Sequence, residues 1–119
     1  MFHMLSCFNL TPDVDANEFR VALDELTMHM KAADLLHSTS PIGRRQRHPV
    51  MDTDDERDHE YFFIMSFENR PQCDAAVRYM TGSKQPGNAA HESVQTMIST
   101  PVFICWQDIE TDDLQEPAR

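Results

Sequence analysis

The sequence contains little glycine, with three residues in 119. Collagen-like repeats, glycine-rich linkers and the glycine-rich loops that bind dinucleotides are therefore poor interpretations. Basic residues are also scarce: there are 10 against 20 acidic ones, and the formal net charge is −10. A surface of this sign repels a phosphate backbone, which argues against sequence-independent binding of nucleic acid.

Cysteine and long apolar runs are the other shortages. The three cysteines, Cys7, Cys73 and Cys105, cannot form a closed disulfide framework, and no Cys-X-X-Cys pair indicates a zinc or redox site. Nowhere do about 18 apolar residues run together, as a membrane-spanning helix requires. The first residues lack the basic start of a signal peptide. We therefore expect a cytoplasmic protein without membrane contact.

The sequence does contain enough apolar residues, 40%, for the core of one domain. Asp15 and Glu18 have the spacing of a helix N-terminal capping box, and the apolar residues that follow repeat at intervals of three and four. This pattern predicts a helix over residues 15–34. A second helix is predicted to begin near Pro71, and Asn88 is predicted to cap a last one.

Strands are predicted over residues 2–10, 61–68 and 102–107, where apolar and aromatic residues are dense. A weak strand near residues 36–40 is expected at a sheet edge, because Pro41 lacks an amide hydrogen. The order strand–helix–strand, repeated, predicts a ferredoxin-like βαββαβ sandwich of the α+β class, with helices on one face of a four-stranded antiparallel sheet.

Both faces of the predicted strands are apolar, which is unusual for a sheet with one face in water. On the last strand, for example, Val102, Ile104 and Trp106 lie opposite Phe103 and Cys105. Because the helices cover only one face, we expect the other to pack against a second copy of the sheet in a homodimer. The domain is expected to span residues 1–109, followed by an acidic, frayed tail over residues 110–119.

With these elements the chain resembles the dimeric α+β barrel superfamily, which includes antibiotic-biosynthesis-type monooxygenases and stress-responsive A/B barrel proteins. The resemblance covers about residues 2–109 and includes Tyr61–Asn69, which leads into a helix as the third strand of that superfamily does. It implies a small pocket between sheet and helices in each subunit. It identifies no catalytic residue, because the superfamily has no universal catalytic motif.

Polar residues on the predicted strands and near the helix ends are the candidates for such a pocket. An inward-facing imidazole there could act as an acid, a base or a ligand, although a surface or hydrogen-bonded histidine is the commoner case. No two histidines have the spacing of a zinc hydrolase, so no metal is expected. The pocket candidates are His3, Asn9, His37, Tyr61, His91 and Trp106.

A basic run precedes an acidic one in the middle of the chain. Arg44, Arg45 and Arg47 are candidates for binding a carboxylate or phosphate, since guanidinium groups suit both. Six acids follow between residues 52 and 60, and pairing between the two runs is the alternative interpretation. The acidic run contains no glycine, so a calcium loop of the EF-hand type is not expected.

Two functions of different classes remain open. One is binding of an aromatic or polyketide-like small molecule, which the resemblance links to cofactor-free oxygenases and isomerases. The other is a non-catalytic dimeric protein of stress response or interaction. No cofactor is expected under either; a third hypothesis, haem binding, requires an inward-facing histidine at the gap between sheet and helices.

Overall fold

The computed structural model describes residues 1–82, 86–110 and 112. In that part the chain forms five strands and three helices. The strands are β1 (Phe2–Leu10), β2 (Ser38–Thr39), β3 (Gly43–Arg44), β4 (Tyr61–Phe67) and β5 (Ile98–Gln107). The helices are α1 (Ala16–Ala32), α2 (Arg70–Thr81) and α3 (Pro86–Met97).

The sheet is antiparallel and has the order β2-β4-β1-β5, with β3 also paired to β4. This is the strand order of a ferredoxin-like sandwich, so the predicted α+β fold is confirmed. The weak strand near residues 36–40 is the two-residue β2, and it lies at the sheet edge as expected. The expected tail lies, apart from residues 110 and 112, outside the described residues.

Helix α1 forms where its spacing predicts. The Asp15 carboxylate caps it by accepting a hydrogen bond from the backbone N–H of Glu18 at 2.8 Å. The helix ends two residues before the predicted boundary, because Asp34 adopts a left-handed conformation (φ 57°). The N–H of Leu35 then donates to the Met30 carbonyl at 2.8 Å, which closes the last turn.

Helix α3 corrects the predicted cap at Asn88. The helix begins two residues earlier, at Pro86. The Asn88 side-chain amide instead donates to the Met80 carbonyl at 2.8 Å, near the end of α2. The amide therefore ties two consecutive helices together rather than starting one; residues 83–85 between them lie outside the described part.

Strand β5 begins four residues before its predicted start at Val102. The pairing with β1 shifts register between Cys7 and Asn9, and Thr100 takes a left-handed conformation (φ 50°) at this bulge. Pro101 is tolerated within the strand because β5 lies at the edge of the sheet. The sequence predicts a strand that begins after this proline, whereas the observed strand begins before it, at Ile98.

The core lies between the sheet and the helices. Phe8 is at its centre, with ring centroids 4.8 Å from Phe19, 5.7 Å from Phe63 and 5.9 Å from Tyr61. Helix α1 contributes Phe19, Leu23, Leu26 and the fully buried Met30, at the predicted spacing of three and four. Among the described residues, no helix is both long enough and apolar enough to cross a membrane.

Candidate functional site

A cavity of about 190 Å³, the helix-side pocket, lies between the sheet and the three helices. Met4, Phe63 and Phe103 line it from the sheet, and Leu23 and Val94 line it from the helices. The walls are mostly apolar, so the few polar groups that reach the pocket decide what it can bind.

Ser6 is one of those polar groups. It lies on β1 between Met4 and Phe8, on the face that packs against the helices, and is 2% exposed. Its hydroxyl has no hydrogen-bond partner among the described residues. An unsatisfied buried hydroxyl costs about 1–3 kcal/mol. Sequence reasoning passed over this serine, although its position in an apolar, inward-facing series was a usable signal.

His91 is the second polar group in the helix-side pocket. Burial lowers the pKa of its imidazole below the ordinary value, and the Glu92 carboxylate opposes this shift only in part. The Gln95 side-chain nitrogen lies 3.3 Å from Nε2 of His91, in position to donate to an unprotonated nitrogen. Burial therefore favours the neutral form of an imidazole in the pocket, and the Gln95 side chain lies against its Nε2.

His3 and Trp106 lie together on the other side of the sheet. Their ring centroids are 5.2 Å apart. Nδ1 of His3 lies 2.8 Å from the Ser66 hydroxyl, and Nε2 lies 2.9 Å from the Asp108 carboxylate. The order Ser–His–Asp is that of a hydrolase triad. However, Ser66 is paired on both sides, with β1 and β2, so the surrounding backbone is committed to the sheet and does not form an oxyanion hole.

The remaining pocket candidates lie elsewhere. Tyr61 is buried, and its hydroxyl accepts a hydrogen bond from Arg44 at 2.8 Å, while the guanidinium carbon lies 5.3 Å from the ring centroid. The Asn9 side-chain oxygen accepts from the backbone N–H of Glu60 at 2.9 Å. His37 is exposed. The structure thus places His91 alone of the six candidates in the helix-side pocket.

The second face of the sheet, which we call the open face, is covered by no helix of the described chain. It is defined by alternate residues of three strands that lie side by side in register: His3, Leu5, Cys7, Phe62, Ile64, Ser66, Val102, Ile104 and Trp106. Cys7 is buried at one end of it, whereas the side chains of Ile104 and Trp106 are 48% and 38% exposed. The apolar surface around Ile104 and Trp106 therefore remains uncovered in the single chain.

Comparison of sequences identifies no relative: no family model matches, and no curated protein matches. Solved structures do match. The protein At3g17210 of Arabidopsis thaliana superposes with a TM-score of 0.69 and 6% identity, over 93% of this chain and 98% of that one. A dimeric ferredoxin-like protein of unknown function from Thermobifida fusca gives 0.55 and 11%, over 88% of each chain.

SnoaB, a cofactor-independent oxygenase of Streptomyces nogalater, is the third match. A variant of it superposes with a TM-score of 0.63 and 13% identity, over 97% of each chain. The chain shares the ferredoxin-like α+β fold of these proteins. Identities this low establish the shared architecture alone, so any activity of this chain depends on its own residues.

The segment of residues 45–59, which we call the covering loop, runs across part of the open face. Arg45 fixes it: its Nε and one terminal nitrogen each donate to the Asp52 carboxylate at 2.6 Å. It also donates to the carbonyls of Asp54 at 2.6 Å and Arg57 at 2.5 Å. The basic and acidic runs are therefore paired through Arg45.

Arg44 and Arg47, the other anion candidates, are placed differently. Arg44 is bound to Tyr61, as described above. The side chain of Arg47 is 60% exposed, and one of its terminal nitrogens lies 3.9 Å from a carboxylate oxygen of Asp52. Both line an outer cavity that also contains the carboxylates of Asp58 and Glu60. These negative charges oppose an anionic ligand. Among the described residues, no group of three or more metal-binding side chains is present.

Asp52→Asn is expected to loosen the covering loop. The hydrogen bonds from Arg45 hold the pKa of Asp52 below its ordinary value, so the carboxylate stabilises the loop at neutral pH and loses that effect as the pH falls through the lowered pKa. Trypsin should cut the variant several-fold faster within residues 45–57. Asp24→Asn, which breaks an exposed pair with Arg20, is the control and should leave that rate unchanged. Equal cleavage rates for both variants would show that the Arg45–Asp52 pair does not hold the covering loop in place.

Proposed function

We propose that the protein is a homodimer in which each helix-side pocket binds one small aromatic molecule that carries a hydroxyl or similar polar group. The observation that carries the proposal is Ser6, a buried hydroxyl in a mostly apolar cavity that has no hydrogen-bond partner in the described part of the chain. A ligand that forms a hydrogen bond with Ser6 removes the cost of the unsatisfied hydroxyl, whereas an apolar ligand does not. The hydroxyl therefore favours the first kind of ligand.

The volume of the helix-side pocket limits the size of the ligand. At about 190 Å³ it slightly exceeds an engineered apolar cavity of about 150 Å³ that binds benzene. A single aromatic ring with one or two substituents fits this space. A multi-ring polyketide or a porphyrin does not, so the proposed ligand is the smaller of the two kinds that the sequence suggested.

His91 is the proposed base. Burial favours its neutral form, so once a bound molecule replaces the Gln95 side chain at Nε2, the imidazole can take a proton from a phenol or from a carbon next to a carbonyl. It can then return the proton to another atom of the same molecule, as an isomerase does. With dioxygen as the oxidant, the same deprotonation would begin a cofactor-free oxygenation. The similarity of fold to SnoaB supports this second reaction class but identifies no residue for it.

Ser6→Ala is expected to weaken binding of phenol without destabilising the protein. Removal of an unsatisfied hydroxyl should leave the melting temperature unchanged or raise it, while loss of one hydrogen bond should reduce phenol affinity by about three- to tenfold. Toluene, which has the same shape and no hydroxyl, should bind wild type and variant equally. The chemical shifts of the backbone amides at positions 6, 91 and 94 measure the binding of phenol and of toluene to each protein.

The alternative, a non-catalytic dimer whose pocket is vestigial, makes a different prediction in the same experiment. In that case neither phenol nor toluene shifts these amide signals at millimolar concentration. Binding of phenol that is equally strong in Ser6→Ala would also contradict the proposal, because the hydroxyl would then have no part in recognition.

A further inference from the structure

We propose that a second ligand site lies on the opposite side of the sheet, between the open face and the covering loop, and that it binds a neutral aromatic molecule with a hydrogen-bond donor. A cavity of about 550 Å³ lies there, within the range of about 300–1,000 Å³ that is typical of small-molecule sites. Its floor is apolar and consists of Leu5, Cys7, Phe62 and Ile104. This site is independent of the helix-side pocket. Its floor belongs to the open face, so in the proposed homodimer the second sheet borders the site at Ile104.

His59 supplies the polar recognition group of this cavity. The residue lines the cavity and is 6% exposed. Its Nε2 lies 2.6 Å from the Thr100 carbonyl oxygen, and because a carbonyl can only accept, Nε2 carries the hydrogen. In the neutral ring Nδ1 is then an acceptor, and it is buried with no partner among the described residues. A ligand hydroxyl would satisfy it.

The charges of the covering loop favour a neutral ligand. The guanidinium of Arg45 is paired with Asp52, and that of Arg57 donates to Asp54 at 2.8 Å. Each cation that lines the cavity is therefore already matched by a carboxylate. An anion would have to displace one of these carboxylates, whereas a neutral ring can lie on the apolar floor without disturbing them.

Cys7 contributes to the floor and not to chemistry. Burial raises the pKa of its thiol, so the sulfur stays protonated and behaves as a small apolar group. With an apolar floor, one buried acceptor and space for two fused rings, the cavity matches a naphthol better than a sugar or a phosphate ester.

The test uses 2-naphthol and 2-methylnaphthalene, which have nearly the same shape and differ in the donor. Wild-type protein titrated into micromolar probe, followed by probe fluorescence, should bind 2-naphthol at least about tenfold more tightly. His59→Phe should abolish this preference. Thr53→Phe, which places a ring in the cavity wall from an exposed position, should weaken both probes about tenfold. Asp55→Phe, outside the cavity lining, is the matched control.

Three results would overturn the second site. Wild type could bind both probes equally or bind neither. Thr53→Phe, which keeps the test valid even if His59→Phe does not fold, could bind as wild type does. Finally, Ser6→Ala could weaken 2-naphthol, which would assign the molecule to the helix-side pocket. If 2-naphthol responds to Thr53→Phe while phenol does not respond to Ser6→Ala, the second site stands and the proposed function fails.

Discussion

Ile104→Glu is expected to convert the proposed homodimer of about 27 kDa, twice the chain mass of 13.7 kDa, into a monomer. Ile104 lies on the open face, where its neighbours across the strands are Leu5 and, through Leu5, Ile64. Ile104 is 48% exposed in the single chain, so a charge there disturbs the fold of the chain little, although it also changes the floor of the second site. Covered by a second sheet, the same carboxylate would be buried without a partner.

The size of this effect follows from the two-fold symmetry of a homodimer, which places the substitution in the interface twice. If the two carboxylates together cost about 2.7 kcal/mol, the dissociation constant rises about 100-fold. Sedimentation velocity at micromolar protein measures the change. Met28→Glu puts the same residue at an exposed position of α1 and should remain dimeric. A wild-type mass near 14 kDa would refute the dimer itself.

Phe8→Ala is expected to cost about 3–5 kcal/mol of unfolding free energy. The Phe8 ring is 1% exposed and contacts aromatic rings from α1 and β4. Its removal leaves a cavity that three rigid neighbours cannot fill. For a domain whose total stability is about 5–15 kcal/mol, a loss of this size brings the chain close to unfolding.

The control for Phe8 is Phe103, an aromatic residue on the strand that pairs with the other side of β1. Phe103 is 49% exposed, and Phe103→Ala should cost less than about 1.5 kcal/mol. Urea unfolding followed by circular dichroism measures both variants. Similar midpoints for the two alanine variants would show that the core is not centred on Phe8.

The alternation of residues along the strands could be predicted from the sequence, because side chains on a strand point to opposite faces whatever the rest of the chain does. The apolar character of both faces followed directly. The alternation does not predict how deeply a side chain is buried or which cavity it reaches. His3 and His91 looked equivalent in the sequence, yet one lies on the open face and the other in the helix-side pocket, because only the helix packing decides which cavity a side chain reaches.

The covering loop illustrates a second limit. The sequence suggested that the arginines and the acids pair, and Arg45 with Asp52 does so. Nothing in the composition indicated which arginine would be buried, since that depends on the path of a loop without regular periodicity. The same path buries His59, which was not among the histidines that the sequence predicted to reach a pocket.

The bulge and proline of β5 bear on how the protein avoids aggregation. β5 forms one outer edge of the sheet, and an unprotected edge is a template onto which further strands can add without limit. Pro101 removes one amide donor from that edge, and the left-handed Thr100 bends the strand beside it. Growth by strand addition is thus disfavoured at β5. In the proposed homodimer, by contrast, two open faces cover each other and leave none for a third chain. An apolar open face is therefore compatible with a closed assembly.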